Sequence, residues 1–273
     1  MDERTQRQTN SEETAENKKK TESIKDSLKQ IFSISGDAAS NEEIRDRLFS
    51  GGQITGTNMV VMICAIIIAS IGLITNSVAV IIGAMLISPL MGTILAIGYG
   101  TVSNDSETTV KYMIGFGMQV LFSVGAATVF FLLCPEKEAT EQIIARTNPG
   151  VLDVLIAVAG GVAGIVGQTR QDKANNIIPG VAIATALMPP LCTCGFCIAN
   201  GNWRMLGHAV YLFVINAYFI FVSACIVLSI LKIPKVKQLS EAEWRKKRFR
   251  MIRNTVIVLL PIIVVVIQMN RGI

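Results

Sequence analysis

Apolar residues in this chain come in long runs, each interrupted by a few polar residues. Seven runs stand out: Ile54–Ile74, Ser77–Ala96, Tyr112–Leu133, Val151–Gly167, Ile177–Ile198, Gly207–Leu231 and Asn254–Met269. A helix needs ~20 residues to cross a hydrocarbon core of ~30 Å, so each run predicts a membrane-spanning helix. The fourth and seventh are short and call for snorkelling flanks or a thinner bilayer. Ahead of the runs, residues 1–20 are polar and predict a disordered tail. From Thr21 to Ile34, Ile24, Leu28 and Ile31 recur at helical spacing. Ser40 with Glu43 three residues on predicts a capped second helix carrying Ile44, Leu48 and Phe49. These amphipathic helices, within residues 21–53, are expected on the membrane surface or against the cytoplasmic face of the bundle. Gly51-Gly52 marks the break before the first span.

One passage occurs twice. Val80–Gly100 aligns without gaps on Val181–Gly201, matching Val80 with Val181, Leu86 with Leu187, Pro89-Leu90 with Pro190-Leu191, and Gly100 with Gly201. Each copy has a leading span, a span with proline near its middle, a short polar connection and a longer trailing span. Three spans per copy force the second copy into the opposite orientation. The pattern therefore predicts an all-α integral membrane protein of seven transmembrane helices. It is a 3+3 inverted-topology repeat (residues 54–134 and 151–231) with two proline-broken helices, plus a seventh helix over 254–269.

Charge supplies the orientation. Apolar residues make up 51% of the chain and mean hydropathy is +0.50, so the net charge of +5 has to be read against the membrane. With a cytoplasmic N-terminus, 21 of the 25 basic residues fall on the cytoplasmic side, leaving Lys137, Arg146, Arg204 and Arg271 outside. This is the positive-inside bias. It predicts a multi-pass plasma-membrane protein with an external C-terminus, and no nucleic-acid partner. The first 53 residues are too polar and too long for a cleavable leader, so insertion through the first span is expected. Residues 232–253 form a basic linker in which Ser240 and Glu243 predict another capped helix. Its Arg245, Lys246, Lys247, Arg248 and Arg250 read as contacts to anionic lipid, each worth ~1 kcal/mol at the surface, or as part of a specific lipid or nucleotide sensor.

Proline inside a membrane helix removes a donor and frees a carbonyl one turn back. Ser88-Pro89 and Pro189-Pro190 thus mark either plain kinks or breaks whose half-helix ends face a midplane site. Ser88, Thr93, Thr185, Thr193 and Asn216 are the polar candidates to line that site with Pro89, Pro189 and Pro190, and Gln119 is a further polar residue within a span. Asp153 is the one carboxylate at a span boundary; it reads either as a cation-coupling group or as a water-facing helix cap after Pro149-Gly150. Asn216 equally fits interhelical glue, and Asn76-Ser77 and Asn175-Asn176 fit plain turns. The six cysteines lie in or at the ends of apolar runs, a reduced usage. Cys192, Cys194 and Cys197 lack a fourth ligand, and His208 is the lone histidine, so no metal site and no cofactor is expected. Gly160-Gly161 and Gly164 form a small-residue packing face; such faces leave room for a homo-oligomer. No nucleophile–base pair or phosphate loop appears, and no enzyme activity is expected.

The stretch Gly83-Ala84-Met85-Leu86-Ile87-Ser88-Pro89-Leu90-Met91-Gly92 resembles the hallmark of the membrane protein family called domain of unknown function 389. Gly72-Leu73, Asn76-Ser77, Ala157, Gly160-Gly161, Ala163-Gly164, the stretch Ala186-Leu187-Met188-Pro189-Pro190-Leu191, Gly195 and Asn216 are similar to that family too. The likeness covers roughly 42–231. It implies a bacterial or archaeal integral membrane protein and assigns no activity. Where some relatives carry a larger soluble N-terminal domain, this chain has a short helical region. Two functions follow as expectations. One is a transporter or ion-conducting protein for a small ion or solute, with a midplane site at two crossed broken helices. The other is a non-transporting scaffold or a sensor of lipid or partner.

Overall fold

A computed structural model describes residues 38–170 and 177–270, with side chains over 38–170 and 186–260. The predicted tail and the helix Thr21–Ile34 lie outside the described residues, as do Asn175-Asn176, Arg271 and the side chain of Thr185. The described chain is helical: α1 (Asn41–Gly52), α2 (Gly56–Ile74), α3 (Val78–Leu86), α4 (Leu90–Ser103) and α5 (Ser106–Leu133), then α6 (Glu141–Ala145), α7 (Val151–Thr169), α8 (Ile177–Ala199), α9 (Trp203–Ile230) and α10 (Glu241–Asn270). Among the described residues, α2, α5, α7 and α9 are each long and apolar enough to span a membrane, and the bent pair α3–α4 makes a fifth segment. The part of α8 with described side chains, Ala186–Ala199, is apolar and shorter.

Local chemistry explains the helix starts. Ser40 accepts from the Glu43 amide at 3.2 Å to open α1. Asp105 caps α5 through the Thr108 amide at 3.0 Å, and Asn202 caps α9 through the Met205 amide at 3.2 Å. Ser240 and Glu243 bond reciprocally at the start of α10, as the capping box requires. The basic linker and the seventh apolar run lie on this one continuous helix.

Helix lengths and pairings recur. α2 and α7 have 19 residues each; α5 and α9 have 28 each. α2 packs on α3 as α7 packs on α8, and α4 packs on α5 as α8 packs on α9. Across the middle, α5 meets α8 and α9 meets α4. Small residues allow these crossings. Gly161 of α7 lies against Ile220 and Ser223 of α9, and Gly195 of α8 lies against Ala127 of α5.

The two ends of the bundle differ in charge. At one end Arg47 donates to the Arg170 carbonyl, the Val236 amide donates to the Ser103 carbonyl at 2.7 Å, and Asn104 Nδ2 donates to the Lys237 carbonyl at 3.0 Å. This end gathers α1 and the basic linker. At the other, Thr140 Oγ1 donates to the Leu73 carbonyl at 2.6 Å, Lys137 Nζ to the Phe131 carbonyl at 2.8 Å, and His208 Nδ1 stands 3.0 Å from the Thr147 carbonyl. Of the two placements expected for α1, the structure has the helix against the bundle. Ile44 and Leu48 are buried, Phe49 sits between the rings of Tyr99 and Tyr112, and the Tyr112 hydroxyl donates to the Phe49 carbonyl at 3.0 Å. The C-terminal end of α1 touches α4 backbone to backbone: a Cβ on Gly92 would collide with the Gly51 carbonyl.

Candidate functional site

The two proline passages behave differently. In the first, α3 stops at Leu86, Pro89 stands at the N-cap of α4, and the two axes differ by 49°. Pro89 has no N–H for the Met85 carbonyl, which instead takes a tighter bond from the Ser88 amide at 3.3 Å. In the second, the expected break is absent: Pro189 and Pro190 lie inside the continuous helix α8. The physical reason is a donor from another helix. Asn216 Nδ2 reaches the Ala186 carbonyl, the one Pro190 leaves free, at 2.7 Å. A freed carbonyl in an apolar bundle needs a partner, and here a side chain on α9 supplies it.

That asparagine has a counterpart. Gln119 and Asn216 each occupy the fourteenth position of a 28-residue helix, counting from Ser106 and from Trp203. Gln119 Oε1 accepts from the Thr93 hydroxyl at 2.9 Å, so each amide bonds to the proline-bearing helix of its own half. Each also keeps one polar atom without a partner, Gln119 Nε2 and Asn216 Oδ1. The hydroxyls of Ser88, Ser123 and Thr193 are likewise buried and unpartnered. Ser123 lies one turn from Gln119 on the stripe Gln119–Ser123–Ala127–Phe131. At Ala127 and Phe131 that stripe meets Gly195 and Phe196 of α8, the helix that carries Thr193. Each unpaired buried group costs ~1–3 kcal/mol, and native structures hold few of them. Ser70 Oγ and Arg146 Nε are also buried without a partner; the two mid-helix amides, with Ser123 one turn from Gln119 and with Ser88 and Thr193 beside the two proline passages, are the candidate site. It offers hydroxyl and amide groups of both polarities and no formal charge.

The other expected site residues lie elsewhere. Asp153 Oδ2 accepts from the Gly150 amide at 2.8 Å and so caps α7 at the end away from the basic linker, rather than facing the mid-bundle amides. Arg146 is nearby; burial pushes its guanidinium down and the charge of Asp153 holds it up. Pro189 and Pro190 are buried within α8, and Thr93 is enclosed between Gln119 and the Gly52 carbonyl. Of the lipid-contact candidates, Arg245, Lys246, Arg248 and Arg250 are exposed and Lys247 is half-buried. Cys192, Cys194 and Cys197 are buried free thiols on α8, and among the described residues no group of His, Cys, Asp and Glu side chains forms a metal cluster. Sequence reasoning weighed Gln119 without choosing it and passed over Ser123. The signal was the four-residue spacing of one polar stripe on an otherwise apolar helix.

The pattern of a known family, domain of unknown function (DUF389), matches residues 85–222, a stretch that holds Pro89, Gln119, Pro190 and Asn216. The chain belongs to this family. This DUF389 protein is 28% identical over 210 residues to an uncharacterized protein of Methanocaldococcus jannaschii, an alignment covering 77% of this chain and 65% of the relative. The chain thus spans less than two thirds of that relative's length. No solved structure matches it.

Proposed function

We propose that this DUF389 protein is a plasma-membrane transporter or ion-conducting protein, and that a small ion or solute passes through the mid-bundle polar group. The observation that carries this reading is the pair of matched amides, Gln119 and Asn216, each mid-helix with one unpartnered buried atom. Nothing in an apolar bundle compensates such groups except water or a cargo. Matched helix lengths and pairings support a 3+3 inverted repeat, in which such sites form where the halves meet. The gathering of basic segments at one end supports a cytoplasmic assignment for that end. The site lacks a carboxylate, which favours a cargo held by hydroxyl, amide and backbone groups over a proton relay.

Two steps test it. Thermal unfolding of the purified protein is followed against a panel of ions and small solutes; a ligand at one hundred times its dissociation constant stabilises by about 2.7 kcal/mol. Flux of each hit is then measured in proteoliposomes for wild type and for Ser123→Ala with Thr193→Val. These substitutions remove unpartnered hydroxyls, so folding is expected to hold while flux falls at least about tenfold. Undiminished flux, or a panel with no stabilising compound, would sink the reading.

A further inference from the structure

At the basic end of the bundle a pocket of about 420 Å³ opens between the C-terminal ends of α4 and α9, the linker that follows α9, and the first turns of α10. Four cations line it: Lys232, Lys235, Lys247 and Arg248. None of its lining residues is Asp or Glu, and the ion pairs among the described residues, Arg45 with Asp46 and Arg47 with Glu43, use none of these four. Nearby carboxylates are occupied elsewhere: Asp105 caps α5 and Glu243 closes the box with Ser240. Two of the cations are also held in place. Lys247 donates to the Thr101 carbonyl and to Asn104 Oδ1 at 2.6 Å, and the Arg248 guanidinium lies 5.7 Å from the centre of the Trp244 ring. Lys232 has a left-handed backbone, φ 54°, a conformation uncommon for a lysine. Burial pushes the Lys247 ammonium down; the neighbouring Cys225 sulfur opposes that push, and the charge of Lys235 adds a smaller one to it. The remainder of the lining is apolar, with Val102, Ile233 and Met251.

Like charges around one pocket repel, and an anion of matching charge relieves that repulsion. We propose that this pocket binds a phosphate-bearing ligand, its phosphate between Lys232, Lys235, Lys247 and Arg248 and its less polar part against Ile233, Met251 and the Trp244 ring. Two sources share that chemistry: an anionic phospholipid headgroup with its chain along the apolar side, and a soluble phosphate ester. The site is separate from the mid-bundle group and does not depend on a transport role.

The test uses the whole chain in nanodiscs. Thermal stability and binding are measured with adenosine triphosphate and inorganic pyrophosphate added to phosphatidylcholine discs. A second arm replaces part of the phosphatidylcholine by phosphatidylglycerol, with no soluble phosphate. Lys235→Gln with Arg248→Gln removes two pocket cations; Arg245→Gln with Lys246→Gln and Arg250→Gln removes three neighbouring cations that do not line it. A saturable shift in either arm that weakens roughly tenfold or more in the pocket variant, and less than about twofold in the neighbour variant, is the expected result. The arm in which it occurs names the source. A response lost equally in both variants would reduce the pocket to diffuse surface charge and overturn the proposal, as would no response in either arm. All five substituted side chains but Lys235 lie on α10, and all five are exposed, so a folded variant is expected and is checked by helical content and elution volume.

Discussion

The two proline-bearing passages align without gaps, with modest identity, and end in different backbones. Around Pro89 the chain breaks and turns by 49°; through Pro189 and Pro190 it stays helical. Two consecutive prolines do less damage than one. The difference lies outside both passages, in what the trailing helix of each half offers. Asn216 gives its amide hydrogen to the Ala186 carbonyl, whereas Gln119 accepts a hydrogen from Thr93, beyond the break, and gives nothing to Met85. In an apolar bundle, proline sets the demand for a donor, and the neighbouring helix decides whether the helix survives it.

The sharpest test of that comparison is Asn216→Leu, which strands the Ala186 carbonyl. We expect a loss of about 2–3 kcal/mol in detergent unfolding. Restoring the missing backbone donor with Pro190→Ala should make the same substitution cost far less, a coupling that a double-mutant cycle measures. An equal cost in both backgrounds would remove the donor explanation. Next in size, Gly92→Ala forces α4 away from the Gly51 carbonyl and should cost about 2 kcal/mol. Gly83→Ala, before the break and with open space around it, should be neutral or stabilising by up to about 1 kcal/mol. Equal losses at the two glycines would mean that crowding at α1 is not what positions α4. Thr93→Val leaves Gln119 Oε1 without its donor and should cost about 1 kcal/mol, most of it recovered when Gln119→Leu is added.

The smallest effect separates the two halves by pH. Asp105 and Asn202 cap the matching helices α5 and α9, and only Asp105 ionises. Bonds from the side chain and backbone of Thr108 hold its carboxyl below the ordinary carboxylate value. The folded chain therefore binds fewer protons than the unfolded chain in that range. The contribution is present at neutral pH and is lost as pH falls below about 4, through the depressed value. Asp105→Asn should keep the cap and remove a few tenths of a kcal/mol of acid sensitivity, read from unfolding at neutral and acid pH.

Much of this was legible in advance because it is local. Run length predicted the apolar helices, Ser40 and Ser240 announced their caps, and Pro89 marked a break where one exists. The course of the chain at Pro190 was not legible, because it depends on a hydrogen bond across thirty positions of sequence. Asp153 read either as a cation-coupling group or as a helix cap after Pro149-Gly150, and the Gly150 amide donates to it as the cap reading requires. Thr93, Thr193 and Asn216 were identifiable as polar residues in apolar helices. Ser123 gains meaning only once α5 is seen to press that face on α8. The basic linker read as topology with anionic-lipid contact, or as part of a lipid or nucleotide sensor; which of its cations share a pocket with the end of α4 is not visible in one dimension.

The contact between Gly51 and Gly92 sits at the start of the half-helix that follows the break, with no side chain between the two backbones. A Cβ at Gly92 would therefore be a wedge between α1 and α4, because no soft atom lies there to absorb the displacement.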